Sequence, residues 1–228
     1  MKKVVIGLVV AILIVTSIVG ILFLNTKGKK QNSENGQVAA GDEYYGNRGN
    51  ISQVEKVKFL SKNDEYLVGM IGLPVSNEVT NFSNENMIQF ALNIAVERYG
   101  SMLTEKKNKD GSKAYLVSKE VVNEITNEYF GVNEVPFDET SNAYYSKANK
   151  AFLYGENIEK TLYYYPVDMK EEADTVEITA DAIFVSDDQE QSMIENAKYD
   201  GKYGQDNVDN TIKFIFNKSG KLVSYQYL

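Results

Sequence analysis

The sequence predicts an α+β protein, with helices packed on a curved antiparallel sheet, carried by an N-terminal transmembrane helix and a flexible stalk. Three observations predict it. Residues 4–24, VVIGLVVAILIVTSIVGILFL, contain no charge. Apolar positions recur at helical spacing over residues 84–99 and 118–130. Beyond Pro136 the chain turns to short runs of alternating apolar and polar residues, the period of a half-buried strand. The organisation expected is a head and anchor at 1–24, a disordered stalk at 25–50 and an extracytoplasmic α+β domain at 51–228.

The apolar run makes a helix about 31 Å long, which matches a hydrocarbon core of ~30 Å. It is apolar on every face, and Lys2, Lys3, Lys27, Lys29 and Lys30 flank it at headgroup depth. A cleaved signal peptide would carry a shorter apolar core, of ~7–15 residues, followed by a small-x-small site. The nearest match, Ile18-Val19-Gly20, would leave Ile21 to Leu24 as a new apolar end, so the reading taken is a retained anchor, with cleavage as the alternative. The lipoprotein route needs a cysteine to acylate, and the chain has none. Lysine counts on the two sides nearly tie. A short head and a long following domain favour a cytoplasmic N-terminus and a C-terminal domain outside the cell membrane.

After the anchor, residues 25–50 are rich in glycine and amides with no apolar period, as expected of a stalk. A flexible coil of that length spans about 28 Å r.m.s.. Residues 51–75 are read as two short strands around the turn residues 61–65, since Tyr66 to Ile71 is rich in strand formers. A helix at 52–60 is the rival reading. Over 84–99, Ile88, Ala91, Leu92, Ala95, Val96 and Tyr99 share one helical face, and Gly100 supplies a stop. Residues 106–112 read as a charged loop. Ser118 then caps a second helix through Phe130, with Val117 and Val122 as a hydrophobic staple, Val122, Ile125 and Tyr129 on its buried side, and Gly131 as its stop.

The strands expected are 150–154, 161–165 and 175–186. In the last, Val176, Ile178, Ala180, Ala182 and Phe184 alternate with Glu177, Thr179 and Asp181. A closing hairpin sets Ile212, Phe214 and Phe216 against Val223, Tyr225 and Tyr227 across Asn217-Lys218-Ser219-Gly220. The segments FALNIAVERYG, VSKEVVNEITNEYFG and TIKFIFNKSGKLVSYQYL, in that order, resemble membrane-anchored extracytoplasmic proteins of Gram-positive bacteria. The resemblance covers residues 80–228. It implies a cone-shaped domain similar to the NTF2-like or cystatin-like folds, and it implies no activity.

Composition excludes several chemistries. Five of the 24 basic residues precede position 31, which leaves 19 against 32 acidic residues, a net of −13 that disfavours nucleic acid as a partner. With neither cysteine nor histidine, thiolate and imidazole ligands, cysteine nucleophiles and Ser-His-Asp triads are closed. No S-x-x-K, G-x-S-x-G, G-x-G-x-x-G or Walker A pattern occurs.

Carboxylates remain. Asp187, Asp188, Glu190 and Glu195 follow the clearest strand, and Asp200, Asp206 and Asp209 lie in the linker before the final hairpin. Oxygen ligands suit calcium, but the EF-hand register fails: Gly111 or Gly204 at its sixth position leaves Lys106 or Tyr199 at its first. A solvated acidic loop is the plainer reading, and no cofactor is expected. A glycosidase would need two carboxyls about 5–9 Å apart across a cleft, and no pair stands out.

Tyrosine clusters at Tyr144-Tyr145 and Tyr163-Tyr164-Tyr165. Such rings grip sugars or peptides when exposed, although tyrosine also favours strands for packing alone. Tyr144, Tyr164, Asp187 and Asp188 are therefore the candidate partner-binding residues, Tyr164 being out of phase with its neighbours. The function expected is a membrane-tethered, non-catalytic binding or assembly module, its partner an envelope protein or cell-wall component. A subunit of a secretion, conjugation or sporulation machine and a carboxylate-dependent hydrolase are the alternatives.

Overall fold

A computed structural model describes residues 45–108, 111–155, 162–184, 201 and 203–228, all within one compact unit, Ala40–Leu228. Its centre is the helix expected from the 84–99 period. It runs Asn84–Tyr99, starts where the Ser83 hydroxyl accepts the Asn86 N–H, and ends at Gly100, which opens a 3-10 turn, Gly100–Met102. The predicted stripe is buried from Ile88 to Val96, with Tyr99 half-buried, and Met87, Phe90 and Ile94 on its other sides are buried too. The helix is covered almost all round because neighbours pack on it from several directions.

Those neighbours define the architecture. Counting along the chain, α1 is Gln53–Leu60, α2 is Asn63–Gly69, α3 is the central helix and α4 is Lys119–Phe130. The strands are β1 Thr80–Asn81, β2 Thr104–Lys107, β3 Lys113–Val117, β4 Tyr145–Ser146, β5 Ala151–Gly155, β6 Leu162–Glu171, β7 Thr175–Phe184, β8 Val208–Asn217 and β9 Leu222–Tyr227. They form two antiparallel sheets, ordered β1-β9-β8-β7-β6 and β2-β3-β5-β4. The class is α+β, as the sequence indicates. Helix α3 packs on α2 and α4 within the helical layer and on β3 and β5 of the smaller sheet.

Helix α4 follows its sequence signals. The Ser118 hydroxyl accepts the Val121 N–H, Val117 and Val122 are buried together, and Gly131 takes φ +73°, which lets the chain turn back while its N–H bonds to Asn127. The C-terminal hairpin forms as expected, with β8 and β9 joined across residues 218–221 and Ile212 and Phe214 opposite Tyr227 and Tyr225, but a bulge sets Phe216 against Leu222 and leaves Val223 exposed.

Residues 51–75 are a correction: they form two helices, not two strands. Ser52 caps α1 by accepting the Glu55 N–H, and Asp64 and Glu65 in the first turn of α2 suit the positive end of its dipole. The strand preference of Tyr66, Leu67 and Val68 yields because all three are buried in helical form. The charged loop expected at 106–112 is shorter than predicted, since Thr104–Lys107 and Lys113–Val117 pair as a hairpin.

The stalk boundary is a second correction. Residues 45–50 belong to the fold. Tyr45–Asn47 forms a 3-10 turn whose backbone N–H groups bond to Tyr203 and Gly201, and Asn50 bonds to the edge strand β6 through Met169 and Asp168. That edge carries Pro166 at a bulge, where a missing N–H disrupts no ladder. The predicted anchor at 4–24 and the rest of the stalk lie outside the described residues. Among the described residues no helix is long and apolar enough to cross a membrane.

Both faces of the larger sheet are covered. Ala180, Ala182, Ile212, Phe214 and Tyr164 join the helices in the main core. On the opposite face Tyr163, Tyr165, Val167 and Ile183 pack with Tyr203 in a smaller cluster.

Candidate functional site

At the end of the larger sheet, near the β6–β7 and β8–β9 turns, helix α1 stands over the strands and leaves a cavity of about 400 Å³. Such a volume accommodates a small organic molecule or a side chain. Its floor is apolar: Phe59 from α1, Tyr66 from α2, and Met169, Val176, Ile178 and Phe216 from β6, β7 and β8. Phe59 and Tyr66 meet at 5.1 Å between ring centroids, and Tyr66 meets Phe216 at 6.0 Å. These contacts fix the rings in ordinary aromatic geometry. Lys58, Lys62, Lys218, Glu55 and Glu171 form the rim. In a chain of net charge −8, this rim carries more cations than anions.

One wall is braced by an ion-pair network. Arg98 of α3 bonds to Glu65 of α2 at 2.6 Å and to Glu128 of α4 at 2.7 Å, and Lys62 reaches Glu128 at 3.0 Å. The Tyr129 hydroxyl accepts from Arg98 at 2.9 Å and donates to Glu65. The Arg98 hydrogen bond, opposed by partial burial and reinforced by Lys62, holds the Glu128 carboxyl down at about 2. Every charge here has a partner, so the network serves as a rigid mount.

Tyr66 differs from its neighbours. It is 7 % exposed, and burial together with the fields of Glu65 and Glu128 raises its pKa, so the phenol is neutral. Its hydroxyl has no hydrogen-bond partner among the described residues and is not sealed from solvent.

A second polar arrangement lies on the other face of the sheet. Asp181 of β7 is fully buried, yet its carboxylate accepts from Arg48 at 2.5 and 2.6 Å, from the Tyr203 hydroxyl at 2.6 Å and from the Thr211 hydroxyl at 3.1 Å. Burial opposes the charge of Arg48, but the bonds and field of Asp181 prevail and raise its pKa. Its guanidinium also lies 4.0 Å from the Tyr45 ring centroid. Beside it the buried Lys56, its pKa lowered by desolvation, donates to Asn47 and faces the Tyr165 ring. This cluster latches residues 45–50 to the sheet.

The predicted site residues do not converge. Tyr164 is a correction: it points opposite to Tyr163 and Tyr165, as its phase implies, but that side is the main core, where it is 4 % exposed and packs edge-on to Phe214. Tyr144 is half-buried against Tyr154 on the smaller sheet, away from the residues that line the cavity. Asp187 and Asp188 lie outside the described residues. Asp206 and Asp209 are exposed, but they stand in a 3-10 turn, Gln205–Asn207, and at the start of β8 rather than in an open loop.

Sequence reasoning missed Tyr66, Lys62, Arg48 and Asp181. One signal was available: the chain has only two arginines, Arg48 and Arg98, and each holds a carboxylate in a multiply bonded ion pair. Compared with known proteins, the chain matches no family model, no curated protein and no solved structure.

Proposed function

We propose that this protein is a membrane-tethered, non-catalytic binding module of the cell envelope, and that the cavity beneath α1 is its binding site. The cavity carries the reading: about 400 Å³ of space with an apolar floor, one of its wall residues, Lys62, held by Glu128 of an ion-pair network. A helical layer closing over long antiparallel strands, with space left at one end, supports the NTF2-like or cystatin-like reading. The apolar run at 4–24 supplies the tether and the segment to 44 supplies its reach, which raises the local concentration of the domain at the membrane.

Two measurements test this. Ser33→Cys would be the chain's only thiol, and a membrane-impermeant maleimide should label it in intact cells; protection until lysis would overturn the exported reading. Met169→Trp would place the chain's only tryptophan in the cavity wall. With the full chain in lipid nanodiscs, 1-octanol should shift its emission saturably. A Val223→Trp control, on an exposed position of β9, should not respond. Equal responses from both reporters would overturn the cavity as a binding site.

A further inference from the structure

Resting on the cavity as the binding site, we infer that residues 45–50 and α1 form one strap that docks and undocks as a unit, and that its docking completes the cavity. Helix α1 brings little to its own burial. It has eight residues, too few to hold as a helix alone, and only Lys56 and Phe59 among them are buried, with Leu60 half-buried. Val54 and Val57 point to solvent. Lys56 carries a charge out of water and meets a neutral acceptor, Asn47, at 2.8 Å, so its burial adds little net stability. Apart from Phe59 and Leu60, α1 depends on the segment that leads into it.

That segment is tied to the sheet by polar contacts. The Tyr45 and Gly46 N–H groups donate to Tyr203 and Gly201, both at 3.1 Å, the Met169 N–H donates to Asn50 at 3.2 Å, and Arg48 donates to Asp181 at 2.5 and 2.6 Å. None of residues 45–50 lines the cavity. Yet Lys56 bonds to Asn47 beside the Tyr165 ring, while Phe59 meets Tyr66 and Phe214 at 5.1 and 5.5 Å in the main core. Helix α1 thus bridges the β6 edge of the larger sheet, from the latch side to the cavity side. Glu55, Lys58 and Phe59 are its share of the cavity lining. Lifting 45–50 removes the partner of Lys56 and pulls on α1 through Ile51 and Ser52, and that lining leaves with the helix. Segments joined in this way open with one local free energy. A ligand that needs the α1 wall then favours the docked strap, and the docked strap favours the ligand by the same factor.

Amide hydrogen exchange on the full chain in lipid nanodiscs tests this. Residues 45–50 and 53–60 should share one level of protection, below that of the central helix, 84–99. Arg48→Lys keeps a cation beside Asp181 but loses the two-pronged bond, and it should speed exchange in both segments by a common factor of about tenfold. Gly46→Ala, which removes no ion pair, should also speed the two together. Faster exchange in 45–50 with 53–60 unchanged would overturn the unit, because α1 would then hold without its leader. Protection of both segments equal to that of 84–99 would overturn it too, because neither would open apart from the whole domain. In the unsubstituted chain, 1-octanol at about 100 times the dissociation constant given by the Met169→Trp reporter should slow exchange in both segments, by up to about 100-fold. Unslowed exchange in 45–50 beside a saturable tryptophan response would leave the cavity as a site and overturn its coupling to the strap. A missing tryptophan response would instead overturn the site, with the two variants still deciding whether 45–50 and α1 open as one.

Discussion

Asp181 shows how one residue can invert the meaning of a pattern. It sits in the polar phase of β7, where alternation with Ala180 and Ala182 assigns it to water, and it is fully buried. The cost of desolvating a carboxylate is offset because four donors from three other segments converge on its two oxygens. Removing the charge while keeping the shape strands the Arg48 guanidinium and one hydroxyl. Asp181→Asn is therefore expected to lose about 3 kcal/mol of stability, read as a lowered urea midpoint at unchanged slope. A loss below about 0.5 kcal/mol would mean that the cluster is as weak as an exposed ion pair.

Elements became legible where local chemistry and tertiary packing agree. Helices α3 and α4 carry serine caps and apolar stripes, and the final hairpin carries period-2 alternation into an Asn-Lys-Ser-Gly turn, so each was read from its own residues. Strand β2, TEKK, is exposed at every position and has no apolar face to betray it. It exists because β3 offers it a backbone ladder. Helix α1 hides in the opposite way: Lys56 points inward while Val54 and Val57 point out, which defeats any amphipathic reading. The 45–50 segment looks like stalk because glycine suits both. At Gly46 the reason is close approach: a Cβ would fall 2.5 Å from the Tyr203 ring and 2.8 Å from the Tyr165 ring. Gly46→Ala should cost about 2 kcal/mol in thermal or urea unfolding, within the range for overpacking. A true stalk residue would show no change.

At the scale of the molecule, Arg98 is the clasp of the helical layer, since it joins carboxylates from α2 and α4 to α3. Glu128 has a folded pKa of about 2, below its ordinary value, so it contributes stability that is complete above the usual carboxylate range and is lost as pH falls toward and through 2. The unfolding temperature should therefore drop between about pH 5 and pH 2, and Glu128→Gln should flatten part of that drop. A parallel pH profile in the variant would assign the acid sensitivity to other groups. The same clasp holds Lys62 at the wall of the cavity, so acid that loosens it should also weaken ligand binding.

By itself the sequence determined the class, the two capped helices, the closing hairpin and the chemistries that are closed to a chain without cysteine or histidine. Tertiary structure alone decided which faces are covered and where the cavity lies. Arg48 and Asp181 are 133 residues apart, and Tyr66 meets Phe216 across most of the domain. Local periodicity reports that one side of an element is buried. It carries no information about a distant segment that covers the other side, and both the latch at Asp181 and the free hydroxyl of Tyr66 come from such coverings.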